Sequence, residues 1–472
     1  MKVKILLFLL GGLLISSCSK WHYGHGGHHD DDDGGGDNVV FTDTNVDEAA
    51  GNANEKIVLS PNEIIVKYQP EVSSERRAEI RDEYPIVSIQ ECDCGDTNIE
   101  LWVFDPDIEE LEIEGVTDRL SRTSPRGKTR GERSFTIELA PVGPFSTQGQ
   151  GVDNDEQPLI ANTGGAPVNI AVIDTGLDFY RYLNAEMTTP FLFPSGEFSD
   201  CFDTDSGWNF TADNDGDGVR EGDGAIIDPN GHGTYVTKLI TDILDGEGTN
   251  YKILPLKVFD FEGKGSYWDV LCALAYIKNI NQNGGNINIV NASFGGKMPR
   301  KTFQEPPMGD ARSIFVETLD DLKNLGTLIV TSAGNKGEDN DIGPEGDFIS
   351  SFQSSNILSV GGYMYDTINP AARPIRLHPS SNFGSAGSID IALAFNNYKI
   401  IYDTSNPFEK NRVTLQGTSY ATAAMSGLAG TIIDRAGSIS PEELKDLIFR
   451  LSVEAPELEG KIAERRVYIR AD

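Results

Sequence analysis

Apolar runs alternate with helix-spaced segments along the chain from residue 166 to the C-terminus. The runs are rich in β-branched residues, whereas the segments between them carry apolar residues on one helical face. Strands are predicted at 168–173, 253–259, 287–292, 327–331 and 357–360, and helices at 234–244, 267–281, 311–325, 420–436 and 442–451. This alternation predicts an α/β domain over 166–472, in which a parallel sheet is flanked by helices on both faces.

A shorter region, 57–141, has a different pattern. Strands are predicted at 64–68, 86–90, 99–104 and 134–139, and a polar helix at 73–84. These elements predict a small α+β domain. The Arg-, Gly- and Thr-rich segment 123–133 is predicted as a protease-sensitive loop, and 142–165 as the linker to the large domain.

The first 56 residues carry targeting signals instead of a core pattern. Two lysines precede an apolar run at 5–15, which is shorter than the roughly 20 residues of a membrane-spanning helix. This order predicts an export signal over 1–17. Cys18 follows directly, as in the bacterial lipobox, whose cysteine is lipidated; an ordinary signal peptide is the alternative. The Gly-, His- and Asp-rich stretch 18–56 is predicted to be a flexible tether.

Composition and charge narrow the function classes. The 472 residues include 39 Lys and Arg against 73 Asp and Glu, a net charge of −34, and 38% of them are hydrophobic. These values fit a globular protein, and the negative charge argues against nucleic acid as a partner. No later segment is apolar enough for a transmembrane helix, so membrane attachment is expected only through Cys18. We expect an exported monomer, lipid-anchored on the periplasmic or surface side of the bacterial envelope or released from it.

Four cysteines follow Cys18, namely Cys92, Cys94, Cys201 and Cys272. Export permits disulfides, but four cysteines allow three pairings and the sequence does not choose among them. Their spacing does not support a structural zinc site.

Only two of the six histidines, His232 and His378, lie outside the tether. These two are therefore the candidates for a catalytic imidazole. The tether histidines could bind a transition metal, but a solvated spacer is the favoured interpretation. His378 lies in a Pro-flanked, surface-like stretch. His232 lies between two glycines in Asn-Gly-His-Gly-Thr, directly before an amphipathic helix, where the backbone leaves room for a substrate.

Three further residues lie at positions suited to catalysis. Asp174 follows the predicted strand 168–173 and begins Asp-Thr-Gly, at the strand end where α/β sheets place their sites. Ser419, in Gly-Thr-Ser, opens a helix whose first N–H groups and dipole can stabilise an oxyanion. Asn335, in Ala-Gly-Asn after the strand 327–331, can supply a second donor.

The order Asp174, His232, Asn335, Ser419, with these flanking residues, strongly resembles the subtilisin-like serine peptidases, or subtilases. The segments 291–296 and 381–384 resemble two further family segments. The resemblance covers the chain from about residue 166 to the C-terminus. It implies a serine endopeptidase that acts on proteins or peptides, needs no cofactor for its chemistry and forms an acyl-enzyme.

The resemblance also assigns roles to residues. His232 would act as base for Ser419, oriented by Asp174, and Asn335 would bind the oxyanion. Substrate would add as a strand beside Ser293, Phe294 and Gly295.

Region 57–141 resembles the inhibitory propeptide of these enzymes, with a permanent accessory domain as the alternative. The enzyme would cut itself between about residues 122 and 166. The propeptide would then lose the high effective concentration of a tethered unit and dissociate.

Two features qualify the resemblance. Tyr235, Tyr420 and Ala423 replace residues that are common in the family, so a catalytically inactive subtilase-fold surface binding lipoprotein is the alternative function. Separately, Asp213, Asp215 and Asp217 resemble the start of a calcium loop, although Gly224 stands where an EF-hand has glutamate. A structural calcium ion is therefore an open expectation, with a hydrated acidic insertion as the alternative.

Overall fold

A computed structural model describes most of the chain. The described residues are 40–42, 59–92, 98–123, 129–139, 166–178, 191–198, 206–211, 226–299, 313–352, 354–365, 374–396, 398–403 and 410–469. All of them belong to one compact unit, Asn38–Asp472.

Strands outnumber α-helices in the described part of the chain. The strands are β1 (Val40–Thr42), β2 (Leu59–Tyr68), β3 (Ile86–Glu91), β4 (Ile99–Phe104), β5 (Thr129–Glu138), β6 (Val168–Asp174), β7 (Trp208–Asn209), β8 (Tyr251–Lys257), β9 (Lys264–Ser266), β10 (Ile287–Ala292), β11 (Lys297–Pro299), β12 (Leu328–Ser332), β13 (Glu345–Asp347), β14 (Ile357–Tyr365), β15 (Ile375–Leu377), β16 (Ile391–Ala394), β17 (Tyr398–Asp403), β18 (Lys410–Gln416), β19 (Val453–Glu454) and β20 (Arg466–Val467). The α-helices are α1 (Ser74–Arg81), α2 (Glu110–Thr123), α3 (His232–Gly246), α4 (Tyr267–Gln282), α5 (Ile314–Asn324), α6 (Thr418–Ala436) and α7 (Pro441–Leu451).

The largest sheet has the order β19-β20-β16-β14-β12-β10-β6-β8-β7, with β15 paired to β14. Strands β20, β16, β14, β12, β10, β6, β8 and β7 run parallel, whereas β15 and β19 pair antiparallel to their neighbours. Strand β6 shows why helices cover both faces. Its residues alternate between two cores: Ala171 and Ile173 pack with α4 and α5, whereas Ile170 and Val172 pack with α3 and α6.

The N-terminal unit, residues 59–139, forms a second sheet of order β3-β4-β2-β5-β9. Its four own strands are antiparallel, and β9 of the large domain completes its edge. One face packs under α2 through a core that includes Ile64, Trp102 and Ile113. The predicted fold class, an α/β domain with a small N-terminal α+β region, is confirmed.

The other face of this sheet shares a core with the large domain. Phe135 is fully buried and stacks on Tyr267 of α4, with ring centroids 5.0 Å apart. Burying an aromatic side chain this fully contributes roughly 1.5–3 kcal/mol. A disulfide joins Cys92, which directly follows β3, to Cys272 in α4. This bond belongs to one of the three pairings that the sequence left open. Core packing and a covalent bond therefore attach the unit.

Two smaller sheets complete the described strands. Strands β17 and β18 pair antiparallel, and β1, inside the segment predicted as a tether, pairs parallel to β18. Strands β11 and β13 form an antiparallel pair.

Further local predictions differ from the structure. Helix α2 was not predicted, and α3 begins at His232 instead of residue 234. The loop prediction for 123–133 is wrong from Thr129 onward, because these residues belong to β5. Gly131 in that strand permits the close approach of α2, since a Cβ there would lie 3.0 Å from Leu120 Cδ1.

Candidate active site

Asp174 and His232 form the first part of the site. Asp174 is the last residue of β6, and His232 is the first residue of α3. The imidazole Nδ1 lies 2.8 Å from Asp174 Oδ1, and both side chains are buried. Because a carboxylate accepts hydrogen bonds, Nδ1 carries the proton and Nε2 is the basic nitrogen.

Asp228, which the sequence analysis missed, fixes the start of α3. Its buried carboxylate accepts hydrogen bonds from the backbone N–H of Gly231 at 2.7 Å and of Thr234 at 2.8 Å, and from the Thr234 hydroxyl at 2.7 Å. These are N–H groups that a helix start leaves without partners. An Asp four residues before the His was the available sequence signal.

Gly233 allows α3 to approach β6 closely enough for the Asp–His contact. A Cβ at Gly233 would lie 2.4 Å from Gly176 O and 3.1 Å from Asp174 Cβ. The Gly233 N–H also donates to Thr175 Oγ1 at 2.9 Å. The glycine after the histidine is therefore required by packing.

Ser419 is the second residue of α6 and is almost fully buried. Its hydroxyl donates to the backbone carbonyl of Ser293 at 2.9 Å, and the Ser293 hydroxyl donates to the Ser419 carbonyl at 2.9 Å. Among the described residues, the Ser419 hydroxyl makes no hydrogen bond to His232. Attack on a substrate would therefore require the hydroxyl to turn from the Ser293 carbonyl toward the imidazole.

Asn335 is held against the start of α6. Its Oδ1 accepts hydrogen bonds from the Thr418 backbone N–H at 2.8 Å and from the Thr418 hydroxyl at 2.9 Å. Because Oδ1 accepts both hydrogen bonds, the other amide position is the donor nitrogen Nδ2. Asn335 thus presents a donor beside the helix start that carries Ser419.

The segment predicted to bind substrate follows β10. Ser293 is tied to Ser419 as described, the Phe294 carbonyl accepts from Ser332 Oγ at 3.1 Å, and Gly295 is next in the chain. Strand β9 pairs antiparallel with β5, and Leu139 N–H donates to Gly263 O at 2.7 Å. The N-terminal unit thus occupies the backbone edge of β9.

A buried carboxylate, Asp347, lies against two glycines near the serine. Its oxygens lie 3.1 Å and 3.2 Å from where Cβ atoms would sit on Gly295 and Gly334. Asn382 Nδ2 donates to Asp347 at 2.6 Å, and Lys297 Nζ lies 3.5 Å away. Burial raises the pKa of the Asp347 carboxyl, and the Lys297 charge opposes this shift. No motif pointed to this carboxylate.

Two tyrosines that replace residues common in the family are buried at the site. Tyr420 is fully buried, and its ring centroid lies 5.8 Å from that of His232. Tyr235 is buried within α3. His378 instead stacks on Phe395, with ring centroids 3.7 Å apart.

Several predicted residues lie outside the described part of the chain. They are Cys18, Cys94, Cys201, Asp213, Asp215 and Asp217. Lipidation and structural calcium therefore stay predictions from the sequence. Within the described ranges, no group of three or more His, Cys, Asp or Glu could hold a metal ion. No helix in those ranges combines the length and apolarity of a membrane span.

Known proteins resemble part of this chain. It is 27% identical over 315 residues to the extracellular basic protease of Dichelobacter nodosus, covering 61% of this chain and 47% of the relative. It is 25% identical over 296 residues to alkaline serine exoprotease A of Vibrio alginolyticus, covering 61% and 42%. The chain thus spans about half the length of the curated relatives it matches.

Solved structures are also similar, although at low identity. A cold-adapted subtilisin-like serine proteinase has a TM-score of 0.43 at 20% identity and covers 69% of this chain and 96% of that one. The A-subunit of the AB5 toxin from E. coli has a TM-score of 0.44 at 23% identity, with 64% and 89% covered. The family model described as the subtilase family matches residues 165–464. Since this match includes more than half of the chain, the protein belongs to the subtilase family.

Proposed function

We propose that the protein is a serine endopeptidase that hydrolyses proteins or peptides through an acyl-enzyme. The observation that carries the proposal is the buried Asp174–His232 pair at 2.8 Å, next to the helix start that holds Ser419. Family membership supports the reaction class, and subtilases need no cofactor for catalysis.

Each residue has a role in the reaction. Ser419 Oγ leaves the Ser293 carbonyl and attacks the substrate carbonyl, while His232 Nε2 takes its proton. Asp174 holds the imidazole tautomer and stabilises the imidazolium. His232 then returns the proton to the leaving amine, and water repeats the sequence on the acyl-enzyme.

The oxyanion of the tetrahedral intermediate binds two donors. One is Asn335 Nδ2, whose orientation follows from the two Thr418 hydrogen bonds at Oδ1. The other is the Ser419 backbone N–H, which has no hydrogen-bond acceptor among the described residues. Substrate adds as an extended strand beside Ser293, Phe294 and Gly295.

The N-terminal unit acts as an inhibitory propeptide that the enzyme cuts from itself. Support comes from β5, which pairs with β9, and from Leu139, which extends this pairing to Gly263. Because β5 ends at residue 138, the cut falls within 140–165 instead of the wider range expected from the sequence.

Export and lipid anchoring through Cys18 complete the proposal. A matched relative is named as extracellular, which is consistent with export. Exchange of Cys18 for serine should move the protein out of the membrane fraction or leave its signal uncleaved. Unchanged fractionation and processing would argue against the anchor.

The test compares the full chain with Ser419→Ala. After treatment with dithiothreitol, we expect the parent to degrade an unfolded protein substrate and to show a shortened catalytic fragment on a reducing gel. Ser419→Ala should be inactive and accumulate as the longer precursor. Equal activity of both proteins would remove the mechanism, and an inactive, unprocessed parent would favour the surface binding protein.

A further inference from the structure

We propose that the Cys92–Cys272 disulfide keeps the N-terminal unit on the catalytic domain after the chain has been cut, so that the enzyme stays latent until a dithiol reductant opens this bond. The inference rests on the proposed function and adds its regulation. It replaces the expectation that cutting alone releases the propeptide.

The position of the disulfide makes it a second covalent connection. Cys92 follows β3, and Cys272 lies in α4, 180 positions further along the chain. The main chain through 140–165 also connects the two parts. When that segment is cut, the described disulfide still joins the fragments.

The two attachments lie at different parts of the same sheet. In the order β3-β4-β2-β5-β9, the β5–β9 pairing is at one edge, and Cys92 directly follows the strand at the opposite edge. The unit is therefore bonded at one edge and covalently tied beside the other. This arrangement opposes rotation of the unit away from β9.

The interface between the attachments is packed and hydrogen-bonded. Phe135 stacks on Tyr267, whose hydroxyl donates to Glu132 at 2.9 Å, and Glu132 also accepts from Ile314 N–H at 2.6 Å. Lys67 pairs with Glu317 of α5 at 3.2 Å. These contacts bind the unit in the geometry that the disulfide maintains.

Burial protects the disulfide from reduction. Cys272 is 0% exposed and Cys92 6% exposed, within the core shared by both parts. A thiolate must reach a sulfur atom to exchange with it, so the interface has to open before reduction can start. In an oxidising compartment the linked form is thus the resting form.

Reduction is a two-electron thiol–disulfide exchange. A thiolate of the dithiol attacks Cys92 Sγ, the S–S bond breaks, and Cys272 Sγ leaves as a thiolate that takes a proton. The second thiolate of the reductant then attacks its own sulfur in the mixed disulfide. Cys92 is released as a thiol, and the reductant becomes a cyclic disulfide.

The disulfide explains latency because it keeps the effective concentration of the N-terminal unit at the catalytic domain high. A unit held on a short tether experiences an effective concentration in the millimolar range, so dilution of the enzyme does not release it. After reduction the unit dissociates according to its own affinity and the total protein concentration. Activity should then increase on dilution.

The experiment uses the full chain, the double variant Cys92→Ser/Cys272→Ala and, as a matched control, Cys94→Ser. We expect cut parent protein to migrate as one species without reductant and as two with dithiothreitol. Activity of dilute parent on an unfolded protein should increase about tenfold or more on reduction. Cys94→Ser should behave as the parent, whereas the double variant, made in the Cys94→Ser background so that no Cys94–Cys201 bond can link the parts, should separate and be active without reductant.

Contrary outcomes separate the two proposals. Fragments of the parent that separate without reductant, with full activity, overturn the inference and leave the peptidase intact. Linked fragments that are already fully active also overturn it, because they show that the retained unit does not inhibit. A parent that is uncut and inactive even after reduction overturns the proposed function. If the double variant does not fold, alkylation of reduced parent with iodoacetamide provides the same comparison.

Discussion

Helices α3 and α6 both carry a proposed catalytic residue in their first turn. The backbone N–H groups at their N-termini, however, have different kinds of hydrogen-bond acceptor. At α3, the Asp228 carboxylate accepts the N–H groups of Gly231 and Thr234. At α6, no side chain of the preceding Gly417 caps the helix and no acidic residue lies in the first turn. The Thr418 N–H uses the neutral Asn335 oxygen instead.

This difference follows the chemistry that each helix supports. An anion at α3 orders the helix start and would favour the imidazolium that the proposed mechanism forms on His232. An anion at α6 would occupy and neutralise the donors that the substrate oxyanion needs. In the proposed mechanism, the protein completes the N-terminus of α3, whereas donors at the N-terminus of α6 bind the oxyanion.

The largest effect is expected when either helix loses its reactive side chain. Ser419→Ala and His232→Ala should each lower kcat by roughly 10⁶-fold, and the double variant should be no worse than either, because the residues act as a unit. Steady-state kinetics on a peptide substrate tests this, with processing followed by intact mass. A double variant that is further impaired by the product of both effects would mean that the residues act independently.

Substitution of Asn335 tests whether a donor at the N-terminus of α6 binds the oxyanion. Asn335→Ala should lower kcat about 100- to 1,000-fold with little change in KM, since the donor acts on the oxyanion. Asn335→Asp is the matched variant, because it keeps oxygen acceptors for Thr418 and removes the donor. We expect it to be at least as impaired as Asn335→Ala. Activity near that of the parent in Asn335→Asp would show that Asn335 only positions Thr418.

Substitution of Asp228 tests what the carboxylate at the N-terminus of α3 contributes. Asp228→Asn retains one oxygen but loses the charge and an acceptor, which should cost about 1–3 kcal/mol of unfolding free energy. It should also disfavour the imidazolium form of His232, because removal of a negative charge from this helix start destabilises a cation there. The acid limb of the kcat/KM profile should then move to lower pH. A stability loss with an unmoved acid limb would assign Asp228 a structural role alone.

A third helix start, that of α5, receives a carboxyl group from the N-terminal unit, namely Glu132, and the smallest effect on catalysis is expected at this site. Burial raises the pKa of Glu132 to about 7 from an ordinary 4.5. The stabilisation from this group is complete below about pH 4.5 and is lost as pH rises through about 7. Attachment of the unit should therefore weaken between pH 5 and pH 8.

Glu132→Gln provides the control for this effect, because an amide does not titrate in that range. Thermal unfolding of the Ser419→Ala precursor measures both proteins without self-cutting. The melting temperature of the Glu132→Gln precursor should change less between pH 5 and pH 8. Parallel pH profiles of the two precursors would show that other groups cause the dependence.

Sequence motifs singled out the residues proposed to react, but not the groups that hold them. The motifs pointed to Asp174, His232, Asn335 and Ser419, because substrate chemistry restricts residue types within short flanking segments. Asp228 and Asp347 were missed, because their contacts come from loops that only the fold brings together.

Similar limits explain the missed local structure. Helix α2 carries Ile113, Val116 and Leu120 at helical spacing, so its signal was present but not used. Strand β5 was obscured by Gly131, whose small size serves packing against α2. The Cys92–Cys272 pairing was beyond sequence reasoning, because three pairings were equally allowed.

Reaction with a fluorophosphonate tests most directly whether His232 activates Ser419, although no hydrogen bond joins these two described side chains. The full chain is incubated until processing is complete, reduced with dithiothreitol and labelled, and the adduct is mapped by mass spectrometry. We expect one adduct, on Ser419, that forms in the parent and fails to form at a comparable rate in His232→Ala. Equal labelling rates in the two proteins, or no adduct on Ser419 in the parent, would contradict the assignment of these residues as base and nucleophile.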